Sequence, residues 1–280
     1  MKAWIGRNEA RADRVDTGHA QRWLATLDRA APADGTMPQG FHWCLGLPDA
    51  PSATLGPDGH PLRDESPDSF LPPLPHLPRR MWASSKIEFL FPLHIGAQVE
   101  RRSSVQSIEA KQGGSGELVF VTLLHETTAD GTPAVCEQQS LVYRAAAASD
   151  TPLAPPPPGS GQFDPADWQA HRKAMPNEAL LFRFSALTFN SHRIHYDLPY
   201  ARDVERYRGL VVHGPLTATL LLDLARRELG DNALKSFAFR GLSPAICGEL
   251  LHLAMRPADQ GWELAAFASD GRQIASASGG

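Results

Sequence analysis

Cysteine is scarce in this chain, and what there is cannot be paired usefully. Cys44, Cys136 and Cys247 are the three it has, far apart, odd in number and with no CxxC spacing. That excludes a disulfide framework and a cysteine zinc site, and makes a reducing compartment the expectation. A basic excess is also missing. The 27 Lys and Arg are outnumbered by 31 Asp and Glu, for a net charge of −4. Nucleic acid and anionic membrane are therefore not expected partners. No hydrophobic run is long. The richest, PLTATLLLDLA at 215–225, is too short to span a bilayer and is interrupted by Asp223. The opening MKAWIGRNEARADRVD holds no apolar core of a secretory signal. The expectation is a cytoplasmic protein.

Proline, by contrast, is plentiful, and its clusters mark boundaries. In AAAASDTPLAPPPPGSG, residues 145–161, Pro155 to Pro158 can join neither a helix nor an inner strand. They predict a stiff extended linker over 146–161 between an N-terminal half, 1–145, and a C-terminal half, 162–280. A second proline-rich stretch, 69–82, precedes the first strands of the N-terminal half. Each half ends in a similar pattern. ELVFVTLLHETT runs to Asp130-Gly131 and is followed by AVCEQQSLVYR; ELLHLAMRP, WELAAFAS and RQIASAS are separated by Gln260-Gly261 and Asp270-Gly271. β-rich runs joined by such turns read as antiparallel meanders.

Ahead of the second meander, residues 215–229 predict one long helix. Ala218, Leu221, Leu222, Ala225 and Leu229 form a helical stripe, which Leu216, Leu220 and Leu224 widen until the early turns are apolar nearly all round. The helix should be buried at its start and emerge near its end, where Asp223, Arg226 and Arg227 stand. Pro215 suits its first turn and Gly230 its C-terminal cap. A buried helix wrapped by an antiparallel sheet describes a hot-dog unit, and two halves of this pattern imply an α+β double hot-dog fold. In the first half, 17–29 is helix-like, and QGFHWCLGLP at 39–48 reads as a short, irregular counterpart of the buried helix.

The densest chemical stretch is ALTFNSHRIHYDLPYA, 186–201, with Asn190, His192, Arg193, His195, Tyr196 and Asp197 inside eight positions. The residues alone leave three readings: a metal site using His192, His195 and Asp197, an acid–base site, or a polar cap. Around this cluster the order reads as strand LLFRFSALTF, polar cluster, turn YRGLVVHGP, then the buried helix. That order resembles the MaoC-like, or type 2, enoyl-CoA hydratases. Their hallmark is Asp-x-Asn-Pro-aliphatic-His, followed further on by His-Gly opening the hot-dog helix. Here the six residues run from Asn190 to His195, with Asn190 in the aspartate position, and His213-Gly214 is the His-Gly pair. LPRRMWASSKIEF, ERRSSVQSIEAKQGGSGELVFVT, ALTFNSHRIHYD, GLVVHGPLTATLLLDLA and FRGLSP are similar to one branch of that superfamily. The branch holds mesaconyl-C4-CoA hydratases, itaconyl-CoA hydratases and type 2 hydroxyacyl-thioester dehydratases, and asparagine in the aspartate position is usual there.

The resemblance implies reversible hydration of an enoyl-CoA, with a C5 dicarboxylic acyl group leading. His195 would be the acid–base group, and Asn190 would hold a water or orient the imidazole. The Gly214 N–H, at the helix start, would donate to the thioester oxygen. His213 sits beside it. Arg193, in place of the motif proline, would meet either a substrate carboxylate or a neighbouring acidic side chain. The pairs Arg79-Arg80 and Arg101-Arg102, with Lys86, are candidates for CoA phosphates or simply solvated strand ends. No cofactor and no metal are expected, since CoA is part of the substrate. A homodimer is the candidate assembly. Dehydration of a 3-hydroxyacyl thioester, thioester hydrolysis and non-catalytic acyl-CoA binding remain as alternatives. With His195 as base, an acidic limb in the pH profile is expected on the order of 6–7.

Overall fold

The computed structural model describes residues 2–63, 66, 69–114 and 116–280. The first half runs β1 (Asn8–Arg14), α1 (Thr17–Thr26), a buried 3-10 turn at Phe41–Cys44, then β2 (Arg79–Phe89), β3 (Gln98–Gly113), β4 (Gly116–Ala129) and β5 (Thr132–Arg144). The second runs β6 (Ala170–Ala174), α2 (Glu178–Leu187), α3 (Gly214–Leu229), then β7 (Ser236–Gly241), β8 (Leu251–Pro257), β9 (Trp262–Ala268) and β10 (Gln273–Gly279). Both follow one plan: a strand, a short helix, a long connection and four more strands.

The strands form one antiparallel sheet in the order β1-β3-β4-β5-β2-β7-β10-β9-β8-β6. Read outward from the β2–β7 junction, the corresponding strands of the two halves follow in the same order, and α1 meets α2. The halves differ in the long connection. The second places α3 there, with every residue from 216 to 225 buried. The first has the Phe41–Cys44 turn in its place, with all four of its residues buried. The irregular counterpart expected at 39–48 is this turn. The meanders, the buried helix and its Gly230 end, at φ 102°, lie where the sequence places them.

Two expectations are corrected. LLFRFSALTF is not a strand: residues 178–187 are α2. The Asn177 side chain accepts from the Leu180 N–H, and Leu181, Phe184 and Leu187 are buried at helical spacing. Asp223 does not mark where α3 emerges. It is 3% exposed and is met by Arg172 at 2.6 Å, Arg227 at 2.9 Å, Arg226 at 3.1 Å and Arg29 at 3.6 Å. The proline-rich stretch 146–161 meets the second half at Ala154. The Ala154 N–H donates to Arg206 O at 2.8 Å, and the Arg208 N–H donates to Ala154 O at 2.9 Å. Edge strands β1 and β6 escape a sequence reading because NEARADR and AHRKA carry no apolar alternation. Among the described residues, no helix is long and apolar enough to cross a membrane.

Candidate active site

The polar cluster begins where α2 ends. Phe189 takes a left-handed turn, φ 46°, and the Asn190 N–H donates to Ser185 O at 2.9 Å. The Asn190 Oδ1 then accepts the His192 N–H at 3.0 Å, an Asx turn that feeds the 3-10 turn Arg193–His195. This places His195 against the start of α3. Its Nδ1 lies 2.7 Å from Val211 O. A carbonyl only accepts, so Nδ1 carries the hydrogen and Nε2 keeps its lone pair. The ring stacks on His213 at 3.6 Å between centroids, 18° between planes. His213 is paired in turn through Nε2 with Ser185 Oγ at 2.8 Å. Burial pushes the His195 pKa down to about 4, against the opposing bond to Val211. Burial, with His195 and His192 beside it, holds His213 well below the usual histidine range. Both rings are neutral at physiological pH, and His195 Nε2 keeps its lone pair as the acceptor of the site.

Gly214 opens α3. Its N–H belongs to the first turn, which has no intrahelical acceptor, and Pro215 supplies none of its own. A Cβ on Gly214 would come 2.7 Å from a ring atom of Trp82, so glycine lets that indole lie on the helix start. Trp82 reaches it from a register shift in β2, is stacked on Phe239 at 4.8 Å, and donates to Ser85 Oγ at 2.9 Å. Ser85 in turn donates to the buried Glu137.

The first half also enters the site, through the loop at 57–60. Gly59, at φ +87°, lies so close to the cluster that a Cβ would sit 1.9 Å from Ser191 O. Ser191 Oγ donates to Gly59 O at 2.5 Å, and the Arg193 N–H donates to Asp58 O at 2.9 Å. The loop thereby sets His60 beside the cluster. The His60 Nδ1 is 3.0 Å from Asp58 Oδ2; its ring is 4.2 Å from that of His192, which meets His195 edge-on at 5.5 Å. Burial and the nearby Arg80 charge bring the His60 pKa to about 4, against the pull of Asp58. No sequence signal pointed to this pair.

Of the two readings of Arg193, the structure shows the acidic side chain. The Arg193 guanidinium is held by Asp197 at 2.7 and 2.9 Å, donates to Pro57 O at 2.9 Å and lies 4.2 Å over the Tyr200 ring. It fastens the loop to the cluster and does not line the cleft. Asp197 is thus separated from the proposed His192–His195–Asp197 ligand set. Among the described residues, the side chains a metal could share are Asp58, His60 and His192, whose ligand-type atoms all lie within 4.8 Å of one another. Of the basic pairs, Arg79 is bound to Glu205, Arg101 donates to Leu45 O and Gly46 O, and Arg102 pairs with Glu100 on the surface. Arg80 lines the cleft with no ion pair among the described residues.

Asn190, His192, His195, His213 and Gly214 converge with His60, from the other half, on one cleft of about 1590 Å³. A neutral imidazole acceptor beside a helix-start N–H with no partner among the described residues can move a proton while negative charge builds at an oxygen.

The family model for hydroxyacyl-thioester dehydratase type 2 matches residues 40–247. The mesaconyl-C(4)-CoA hydratase of Chloroflexus aurantiacus is 41% identical over 279 residues, covering 98% of this chain and 95% of that one. Among solved structures, a MaoC-like dehydratase from Phytophthora capsici superposes with a TM-score of 0.72 at 14% identity, covering 98% of this chain and 95% of the other. A Mycobacterium tuberculosis protein described as a double hotdog superposes with a TM-score of 0.57 at 14% identity, over 98% and 95%. These two share the fold, which is the double hot dog. On the family match and the full-length relative, the chain belongs to the hydroxyacyl-thioester dehydratase type 2 family and is a hydro-lyase.

Proposed function

We propose that the chain reversibly hydrates a C5 dicarboxylic enoyl-CoA, mesaconyl-C4-CoA or itaconyl-CoA, to a citramalyl-CoA. The observation that carries this reading is the pairing of His195, neutral with a free Nε2, with the Gly214 N–H at the start of α3. For mesaconyl-C4-CoA, whose double bond is conjugated with the thioester, the oxygen of water bonds to the β carbon in the hydration direction and its proton passes to His195 Nε2. The double-bond electrons move onto the thioester as an enolate. The Gly214 N–H and the α3 dipole stabilise that charge. The imidazolium then returns its proton to the α carbon, leaving the enzyme unchanged. A base with a depressed pKa gives up its proton readily, which suits this second step.

The dicarboxylic preference rests on Arg80 rather than on Arg193. Arg80 lines the cleft and is near enough to His60 and His192 to lower their proton affinity. A carboxylate on the acyl group would give this cation its partner. The test is a panel of enoyl-CoA thioesters read by mass spectrometry. Addition of one water to the C5 dicarboxylic substrates, with slower turnover of monocarboxylic ones, is the expected result. Release of free CoA thiol, or no change in any substrate, would reject the reading. Arg80→Gln should raise KM for the dicarboxylic substrate on the order of tenfold or more, as loss of a charged hydrogen bond does, and leave KM for a monocarboxylic one little changed.

A further inference from the structure

Asn190 stands where the related motif has a carboxylate, and its Oδ1 is occupied by the His192 N–H. A water that attacks a β carbon needs both hydrogens held so that an oxygen lone pair faces the substrate. His195 Nε2 can hold one of them. The other needs a second acceptor in the same cleft.

We propose that His60 is that acceptor, a further catalytic residue contributed by the first half of the chain, with Asp58 as its positioning residue. This rests on the hydratase reading above. Three observations carry it. His60 lines the cleft together with His195. Its Nδ1 faces Asp58 Oδ2 at 3.0 Å, and the carboxylate accepts, so Nδ1 carries the hydrogen and Nε2 is left as an acceptor. Asp58 Oδ1 also accepts the His60 N–H at 3.0 Å, which fixes the ring relative to its own backbone. Finally, the loop is fastened to the catalytic cluster itself. Ser191 Oγ bonds to Gly59 O, the Arg193 N–H bonds to Asp58 O, and Gly59 lies where no side chain fits. The two imidazoles thus have one design. Each is held through Nδ1–H, by Val211 O or by Asp58, which leaves each Nε2 as an acceptor. His60 accepts a hydrogen bond only; the proton still passes from water to His195 and on to the α carbon.

The test compares His60→Leu, His60→Gln and Asp58→Asn with the wild type on mesaconyl-C4-CoA. Leucine removes the acceptor, and kcat should fall on the order of a hundredfold with KM changed less than about threefold. Glutamine keeps an acceptor oxygen and should restore most of that loss. In Asp58→Asn, an amide N–H can face His60 Nδ1 and move its hydrogen to Nε2. Turnover should drop although the ring stays in place. This variant also tests the proposal should His60→Leu fail to fold. Unchanged kcat in both His60→Leu and Asp58→Asn, an equal loss in Leu and Gln, or a loss confined to KM would overturn the assignment. So would one tightly held divalent ion per chain whose chelation abolishes turnover, since Asp58, His60 and His192 would then be its ligands. A wild type that hydrates no enoyl-CoA would reject the functional reading as well; a hydrating wild type with unimpaired variants rejects the role of His60 alone.

Discussion

An imidazole buried between a second imidazole and a peptide carbonyl is hard to protonate, and that sets how His195 works. From the residue type alone, an acidic limb near the ordinary histidine range is expected. Burial moves it: the His195 pKa is about 4. The neutral ring is the working form, so activity should persist as pH falls through 6 and be lost only as it approaches 4. A pH profile of kcat/KM for the free enzyme checks this, and a limb at 6–7 would show the base to be more hydrated than the structure has it. His195→Ala should lower kcat by at least about a hundredfold with the fold retained. Asn190→Asp keeps an acceptor for the His192 N–H and should retain activity. Asn190→Ala removes the Asx turn and should lower kcat more than it raises KM. Asn190, His195, His213 and Gly214 were legible because one short segment and one helix start hold them all. Arg193 was legible only as an alternative, since its partner Asp197 is a turn away but its other contacts, Pro57 and the loop backbone, lie in the other half. His60 was not legible at all, because its place depends on a backbone approach between segments that no local pattern records.

At the scale of the element, the decisive object is that loop, and its docking hangs on Gly59. An alanine there would need a strained φ of +87° and would drive its Cβ into Ser191 O. The loop must back away, carrying Asp58 and His60 with it and loosening the Asn190–His195 turn. Misplacement of about 1 Å near a reacting centre costs up to about a hundredfold in rate. Gly59→Ala should therefore lose turnover on that scale while its far-ultraviolet circular dichroism stays that of the wild type. A fully active Gly59→Ala would show that the loop is not part of the site. The same scale shows where a sequence reading of strands and helices succeeds. α3 was legible because its apolar stripe, Pro215 and Gly230 agree with one another. α2 was misread because LLFRFSALTF is apolar enough for either state; the cap at Asn177, just outside the apolar run, decides for the helix.

Across the whole molecule, the halves join at the β2–β7 ladder, and a buried carboxylate on α3 adds a further tie between them. Asp223 projects from α3 in the second half, yet Arg29, which follows α1 in the first, lies 3.6 Å from it, with Arg172, Arg226 and Arg227 completing the ring. Its side chain is 2% exposed and that of Arg29 is 7%. Removing the carboxylate would leave Arg29, itself 7% exposed, and Arg226 with only Asp231 as an acidic partner, and Arg172 and Arg227 with none among the described residues. Breaking such a buried pair costs about 3–5 kcal/mol, so Asp223→Ala should lower the unfolding free energy by that order. The pH dependence follows from the sign of the shift. Burial alone would raise the Asp223 pKa, but the bonds from Arg227 and Arg226 outweigh it, and the folded-state value lies below the ordinary 3.8. The stabilisation is therefore present above pH 3.8 and lost as pH falls below it. Thermal unfolding of the wild type and Asp223→Ala at pH 7 and at successively lower pH provides the check. The gap in Tm should be wide at neutrality and narrow through the acid range. A gap that stays constant with pH would mean that the side chain contributes packing and not charge.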